Sequence, residues 1–149
     1  MSILFINGSP HKKGVTVALA TQLLAGRSYE VIHLVDKKIN FPDQRFEGDE
    51  FEEVIDAMRK VDTIVMGSPV YWHNMSGILR NLLDRCHEEV GHSELTGKRL
   101  FMVYQGIAPE DWMIEDVEYT ISRFAMLYGM EYMGMIKDKK DADQMSRKL

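Results

Sequence analysis

The chain has 149 residues, a length that suits one domain, 1–149, with one hydrophobic core. Its net charge of −5 and its pI near 5.5 leave no basic face, so no nucleic-acid partner is expected. The single cysteine, Cys86, excludes an internal disulfide and a cysteine-based metal or iron–sulfur site. The first apolar run follows directly on Met1 and Ser2, and no run approaches the length of a membrane span. We therefore expect a cytoplasmic protein with no membrane partner.

The residue pattern from Ile3 to Gly26 predicts a strand, an anion-binding loop and a helix. Ile3–Ile6 is an apolar run typical of a strand buried on both faces. A polar loop that begins with Asn7–Pro10 follows, and helical spacing starts after Thr16 and ends near Gly26. Free N–H groups and the positive end of the helix dipole at such a helix start bind anions. The loop therefore predicts a phosphate site, with an ordinary strand-to-helix turn as the alternative. The P-loop motif and the dinucleotide motif G-x-G-x-x-G are both absent.

The next stretch predicts a second strand, a polar connection and a second helix. Residues 29–34 alternate enough to form the strand, and His33 within it is interpreted as structural. The connection, residues 35–48, has no clear periodicity, and Phe41 and Phe46 are predicted to anchor it to the body of the protein. Apolar residues at helical spacing then predict a helix over residues 51–61.

The remaining elements continue the alternation of strands and helices. Strands are predicted at residues 62–67, 100–104 and 130–136, and helices at 78–90 and from near 111 to 129. Cys86 falls on the apolar stripe of its helix and is interpreted as a core residue. Residues 137–149 are charged with scattered apolar positions, which allows either a short helix or a frayed tail.

Strands that alternate with helices indicate an α/β fold with a doubly wound parallel sheet. Ligands of such sheets bind outside the carboxyl ends of the strands. The loops after the first, third and fourth strands meet at that edge, and these are the loops of unusual composition. The loop after the first strand offers phosphate contacts, and the loop after the third strand offers the flat side chains of Tyr71 and Trp72. A phosphate at one end and a planar ring at the other describe a mononucleotide, and flavin mononucleotide (FMN) fits best.

Two motifs resemble those of the NAD(P)H-dependent FMN reductase family. They are Asn7–Pro10 with Gly14–Thr16, and Gly67–Trp72 followed by Gly77–Arg80 and Leu83–Arg85. The resemblance covers residues 2 to about 136. It implies a flavodoxin-like three-layer αβα fold, a five-stranded sheet in the order 2-1-3-4-5, and a homodimer whose interface borders the flavin.

The chain departs from the family pattern in three places. Val15 stands where the family commonly has Asn, which removes one polar phosphate contact. The connection of residues 35–48 lacks the cysteines of iron–sulfur-containing relatives, so no cluster is expected. The segment after the fifth strand is short for the family.

The resemblance also implies the residues of the site. The FMN phosphate is assigned to Ser9, His11, Lys13 and Thr16, one side of the ring to Pro69, Val70, Tyr71 and Trp72, and the other side to Gln105 and Gly106. Met75 or Ser76 is expected nearby, and Asp84 and Arg85 are interpreted as structural. The implied reaction passes hydride from NADPH or NADH to the flavin and then to a small-molecule acceptor such as a quinone or a flavin. No catalytic side chain and no metal are assigned, because the flavin carries this chemistry.

The sequence also leaves two other functions open. A flavodoxin-like electron carrier would bind FMN without turning over NAD(P)H, and a third possibility is a relative that has lost tight flavin binding. His87 and His92 lie five residues apart, which excludes the metalloprotease helix motif. Whether His73 contacts a substrate stays open.

Overall fold

The computed structural model describes every residue from Met1 to Leu149, and a sheet of five parallel strands lies at its centre. The strands are β1 (Ile3–Asn7), β2 (Glu30–His33), β3 (Thr63–Pro69), β4 (Arg99–Gln105) and β5 (Glu131–Ile136). Their order is β2-β1-β3-β4-β5, and every neighbouring pair is parallel. The strand order implied by the sequence motifs is therefore confirmed.

Helices cover both faces of the sheet. They are α1 (Val15–Leu23), α2 (Phe51–Arg59), α3 (Gly77–Glu89), α4 (Asp111–Leu127) and α5 (Lys139–Ser146). Side chains of α1 and α5 share one apolar core, and those of α2, α3 and α4 share the other. The result is the expected flavodoxin-like three-layer fold. None of these helices has both the length and the apolar character that a bilayer crossing requires.

The alternation of side chains along β1 explains its uninterrupted apolar sequence. Leu4 and Ile6 enter the core beneath α2, α3 and α4, whereas Ile3 and Phe5 enter the core beneath α1 and α5. A central strand of a parallel sheet is buried on both faces and so needs apolar residues at every position.

Strands β3 and β4 extend further than their apolar runs predict. Pairing between them continues to the register Pro69↔Gln105, although Ser68 and Gln105 are polar. The two loops that follow these strands therefore start from paired, rigid backbone.

The polar connection after β2 is not anchored as predicted. Phe41 and Phe46 are 60% and 63% exposed, so the prediction that they hold the connection to the body is wrong. Polar side chains of α3 hold it instead. Asn81 Nδ2 donates to the carbonyl of Ile39 at 3.1 Å, and Arg85 Nη1 donates to the carbonyl of Asn40 at 2.8 Å. We call residues 37–49 the strap.

The C-terminal segment forms the helix α5 rather than a frayed tail. Asp138 caps it by accepting a hydrogen bond from Asp141 N at 2.8 Å. Ala142 and Met145 are buried in the core shared with α1. A Cβ at Gly134, whose φ is +124°, would lie 2.9 Å from Met145 Cε, so this glycine in β5 makes room for the helix.

Candidate cofactor site

The loop after β1, residues 8–14 (loop 1), is shaped by the buried carboxamide of Asn7. Its Oδ1 accepts from Ser9 N at 3.0 Å, and its Nδ2 lies 3.4 Å from the carbonyl oxygens of Ser9 and His11. The same Nδ2 is 3.0 Å from His33 Nδ1. This contact gives His33 the structural role that the sequence suggested. Because a buried amide is costly unless it is paired, these bonds hold the loop in one conformation.

The start of α1 leaves hydrogen-bond donors free at the edge of loop 1. Gly14 is the N-cap and no side chain caps the helix. The first backbone bond runs from Ala18 N to the Gly14 carbonyl at 3.0 Å, so the N–H groups of Val15, Thr16 and Val17 have no acceptor in the chain. A depression of about 510 Å³ lies beside them, lined by residues 10–14.

Loop 1 and the first turn of α1 also carry two buried side chains with hydroxyl groups, Ser9 and Thr16. Ser9 Oγ accepts from His11 N at 3.1 Å, and Thr16 Oγ1 accepts from Gln105 Nε2 at 3.2 Å. Both hydroxyl groups act only as acceptors in these bonds, so each still has its hydrogen to donate. Hydroxyl and N–H donors at the start of a helix are the groups with which proteins bind anions.

The basic side chains of loop 1 differ in their availability. Lys12 Nζ forms an ion pair with Asp36 at 2.5 Å, whereas Lys13 forms none. His11 is exposed. Val15, which replaces the family's Asn, is 60% exposed, so only its N–H is offered to an anion. Lys13 is thus the lysine of this loop that is free to bind a phosphate.

The loop after β3, residues 70–76 (loop 2), contains a tight turn. Tyr71 and Asn74 exchange two backbone hydrogen bonds of 2.8 and 3.0 Å. Between them, Trp72 and His73 have φ values of 46° and 65°, and the Trp72 side chain is 95% exposed. The turn is fixed from outside, because Asn74 Nδ2 donates to Asp116 Oδ2 on α4 at 2.7 Å.

The loop after β4, residues 106–110 (loop 3), packs closely against loop 2. Val70 N donates to the Gln105 carbonyl at 2.8 Å. A Cβ at Gly106 would lie 2.8 Å from Val70 Cβ, so only glycine permits this approach. The two loops border a depression of about 380 Å³, and Ile107 stands fully exposed at its rim.

Side-chain hydrogen bonds join the three loops. The bond from Gln105 to Thr16 ties loop 3 to the start of α1. Ser76 Oγ donates to the Gly8 carbonyl at 2.6 Å, which ties loop 2 to loop 1, and Ser76 N donates to Ser68 Oγ at 2.8 Å. These bonds hold the three loops together at one edge of the sheet.

The structure brings some of the predicted site residues together and separates others. Ser9, Thr16, Val70, Gln105 and Gly106 lie at the joined loops. Pro69 is buried at the end of β3. The side chains of His11, Lys13, Tyr71 and Trp72 are exposed around the edge.

Two residues that support the loops, Asn7 and Asp116, are not among the predicted site residues. Asn7 carries a recognisable signal, because Asn at a strand end before Gly-Ser is typical of a side-chain-stabilised turn. Asp116 carries no such local signal, because it lies 42 residues from its partner Asn74.

These residues suit a mononucleotide with a planar ring. Free N–H groups lie at the start of α1, and loops 2 and 3 border a partly apolar depression that includes Val70, Ile107 and Met113. No three His, Cys, Asp or Glu side chains lie close enough together to hold a metal ion. Cys86 is fully buried, and this burial raises the pKa of its thiol to about 12, so the thiol is not reactive.

Comparisons with known proteins show related sequences and structures. An iron-sulfur flavoprotein of Archaeoglobus fulgidus is 35% identical over 99 residues, which cover 57% of this chain and 48% of that protein. The chain thus spans about half the length of this curated relative.

Solved structures show the same fold. An NADH:FMN oxidoreductase, solved in its apo form, matches with a TM-score of 0.69 and 20% identity, over 99% of this chain and 89% of that one. An FMN-dependent NADH-azoreductase from Bacillus anthracis, in complex with FMN, matches with a TM-score of 0.71 and 15% identity, over 99% and 95%.

A family model described as NADPH-dependent FMN reductase matches residues 1–130, which include β1 to β4 and all three loops of the site. The resemblance in the two motifs is thereby confirmed, and the chain belongs to the NADPH-dependent FMN reductase family.

Proposed function

We propose that this chain is an FMN-dependent NAD(P)H oxidoreductase that passes hydride from NADPH or NADH to the flavin and electrons onward to a small acceptor such as a quinone or a flavin. FMN is the cofactor of its family, and flavin-dependent oxidoreduction is the family's chemistry. The bond between Gln105 Nε2 and Thr16 Oγ1 is the observation that carries the proposal. It joins the anion site and the ring-binding loops into one edge of fixed geometry.

The phosphate would be held at loop 1. Ser9 and Thr16 offer free hydroxyl hydrogens, Val15 offers its N–H group, and Lys13 offers an unpaired positive charge. Hydrogen bonds to a charged acceptor are stronger than those between neutral groups, so these contacts would supply much of the affinity. The exposed imidazole of His11 is a further candidate contact.

The planar ring would lie along loops 2 and 3. Val70 and Gly106 would form the floor. The N–H group of Trp72, which has no acceptor in the chain, and the carbonyl groups of residues 70–72 would face the polar edge of the ring. Tyr71 and Trp72 offer flat side chains at the rim, and Gln105 closes the side toward Thr16. When bound, FMN would accept the hydride and pass the electrons on, and the protein would supply position and electrostatics.

A second copy of the chain is proposed to cover the rim of the site. Trp72, Ile107 and Trp112 are 95%, 104% and 50% exposed, and all three lie near the ring-binding loops. Large apolar side chains clustered at a functional edge are typical of an interface. In sedimentation velocity we expect a dimer, and we expect the double variant Trp72→Ala, Ile107→Ala to shift it toward monomer.

The activity is tested by a visible spectrum of the protein after incubation with FMN and desalting, followed by anaerobic addition of NADPH or NADH. We expect retained yellow flavin that bleaches rapidly with at least one nicotinamide. Flavin that is retained but stays yellow with both would contradict the reductase activity and favour an electron carrier. Loss of flavin on desalting would contradict the cofactor assignment itself.

A further inference from the structure

An apolar pocket of about 400 Å³ lies between the strap and the start of α3. Its walls include Pro10 of loop 1, Ile39 and Phe41 of the strap, Tyr71 of loop 2 and Ile78 of α3. It shares no lining residue with the depression at loop 3. Pro10 also lines the depression at loop 1, so this pocket adjoins the proposed cofactor site on the side of the strap.

The walls of this pocket indicate a neutral, aromatic ligand. None of its eight lining residues is charged. Phe41 and Tyr71 are 60% and 41% exposed, so two aromatic surfaces face solvent where a ring could cover them. The volume lies in the range of small-molecule sites, about 300–1,000 Å³, and is sufficient for two fused rings.

One polar group in the pocket lining has no partner. Asn81 is 8% exposed, and its Nδ2 donates to the carbonyls of Ile39 and Asn40 at 3.1 and 3.3 Å. Its Oδ1 is buried and accepts no hydrogen bond. These two donor bonds fix the orientation of the carboxamide, because a flip would bring Oδ1 against two carbonyl oxygens.

Asn81 lies where the pocket meets a second, narrow cavity of about 50 Å³. Ile39, Ile78 and Asn81 line both spaces. Lys37 also lines the narrow cavity, but Glu50 and Glu53 bind its ammonium group at 3.0 and 2.7 Å. An unpaired buried acceptor is rare and costly, so a hydrogen-bond donor added at Oδ1 would be favourable.

We propose that this pocket binds a neutral aromatic ring that carries a hydroxyl group, a ligand of the phenol or naphthol class. The ring lies against Phe41 and Tyr71, and its hydroxyl donates a hydrogen bond to Asn81 Oδ1. The same ring without a donor leaves Oδ1 unpaired and binds more weakly. This site does not depend on the proposed reductase activity, because none of its features requires a flavin.

The probe is 2-naphthol, compared with 2-methoxynaphthalene, which has a similar shape but no donor. Isothermal titration at pH 7, where the hydroxyl is protonated, is carried out with and without saturating FMN. We expect 2-naphthol to bind in both conditions and the ether to bind about tenfold more weakly, as expected for one lost hydrogen bond. Equal affinities for the two compounds, or no binding of 2-naphthol, would overturn the proposal.

Two strap variants provide a matched pair. Phe41 and Phe46 are similarly exposed, but only Phe41 lines this pocket. We expect Phe41→Ala to weaken 2-naphthol binding at least about fivefold, through lost ring contact, and Phe46→Ala to change it less than twofold. Equal effects of the two variants would place the ligand elsewhere, and displacement of 2-naphthol by FMN would assign the pocket to the cofactor.

Discussion

The hydroxyl group of Thr16 accepts one hydrogen bond and has one hydrogen free to donate. Its oxygen accepts the hydrogen bond from Gln105, and its hydrogen stays free for an anion at the start of α1. The residue therefore both joins loops 1 and 3 and takes part in the proposed phosphate site.

Replacing Thr16 by Val keeps the shape of the side chain but removes the hydroxyl. We expect Thr16→Val to remain folded and to bind FMN about 10- to 100-fold more weakly, because a hydrogen bond to a charged group is lost. Quenching of FMN fluorescence on titration measures the affinity. Thr21→Val, an exposed position on the same helix, is the control and should leave the affinity unchanged. Equal affinities of both variants would contradict the role of Thr16.

Some site residues can be predicted from local sequence and others cannot. Ser9 and Thr16 occupy positions next to the end of a strand and the start of a helix, where the polypeptide itself offers donors. Asp116 fixes the turn of loop 2 through a tertiary contact that no local pattern encodes. The pairing of Lys12 with Asp36, which leaves Lys13 free, likewise depends on the packed structure.

Among the elements, the strap depends most on a single buried charge. Arg85 of α3 is 5% exposed and binds Asp49 Oδ2 at 2.8 Å and Glu89 Oε1 at 2.6 Å, in addition to the Asn40 carbonyl. Its guanidinium also lies 4.4 Å from the ring centre of Phe51. The structural role assigned to Arg85 from the sequence is thus confirmed, and Arg85 anchors the strap.

We expect Arg85→Met to lose about 2 kcal/mol of unfolding free energy at pH 7, because hydrogen bonds from a buried charged group to Asp49, Glu89 and the Asn40 carbonyl are lost. The hydrogen bond from Arg85 holds the pKa of the Asp49 carboxyl below its usual range. Such a carboxylate contributes stability above its unfolded pKa of about 3.9 and loses it as pH falls through the folded pKa. The difference in unfolding free energy between the wild type and Arg85→Met should therefore become smaller below about pH 4.

Urea unfolding at pH 7 and pH 3 measures both effects. Arg80→Met is the control, because Arg80 forms an exposed pair with Asp84 at 3.0 Å on the same helix. That pair should be worth less than about 0.5 kcal/mol. Two results would contradict the anchoring of the strap by this charge. One is an equal loss of unfolding free energy in the two variants, and the other is a loss in Arg85→Met that does not depend on pH.

The turn between α4 and β5 depends on a glycine for two separate reasons. Gly129 has a φ of +76°, and a Cβ there would collide with Thr96 Oγ1 and lie 3.1 Å from Thr96 Cα. Gly26, after α1, has a φ of +77° but nothing within 4 Å of its Cβ position. In urea unfolding we expect Gly26→Ala to cost about 1 kcal/mol, from backbone strain alone, and Gly129→Ala clearly more. Equal losses would show that the contact with Thr96 relaxes freely.

Element boundaries and anchors were predicted with unequal success for physical reasons. The apolar run of β1 had to be a buried strand, because no other element of that length buries every side chain. The strap was misjudged because exposed Phe41 and Phe46 look like anchors, whereas backbone carbonyls bound by Asn81 and Arg85 are invisible in a sequence. Helix α5 could not be distinguished from a tail, since only Ala142 and Met145 of its eight residues are buried.

At the scale of the whole molecule, the strand order creates the site. Because β1 lies between β2 and β3, the connections from β1 and β3 leave to opposite faces of the sheet and open a crevice at their carboxyl ends. Loops 1, 2 and 3 follow β1, β3 and β4, three adjacent strands, which explains how segments about 100 residues apart in the chain meet at one edge. The sheet order and this edge were predictable from alternating elements and motifs.

The most direct test of a single FMN site at this edge is an NMR map of the backbone amides during titration with FMN. We expect the amide signals of loops 1, 2 and 3 and of the first turn of α1 to shift together, with one dissociation constant. The amides of the strap and of α5 should shift little. Shifts confined to one loop, or centred on Ile39 and Ile78 in the neighbouring pocket, would contradict a shared site.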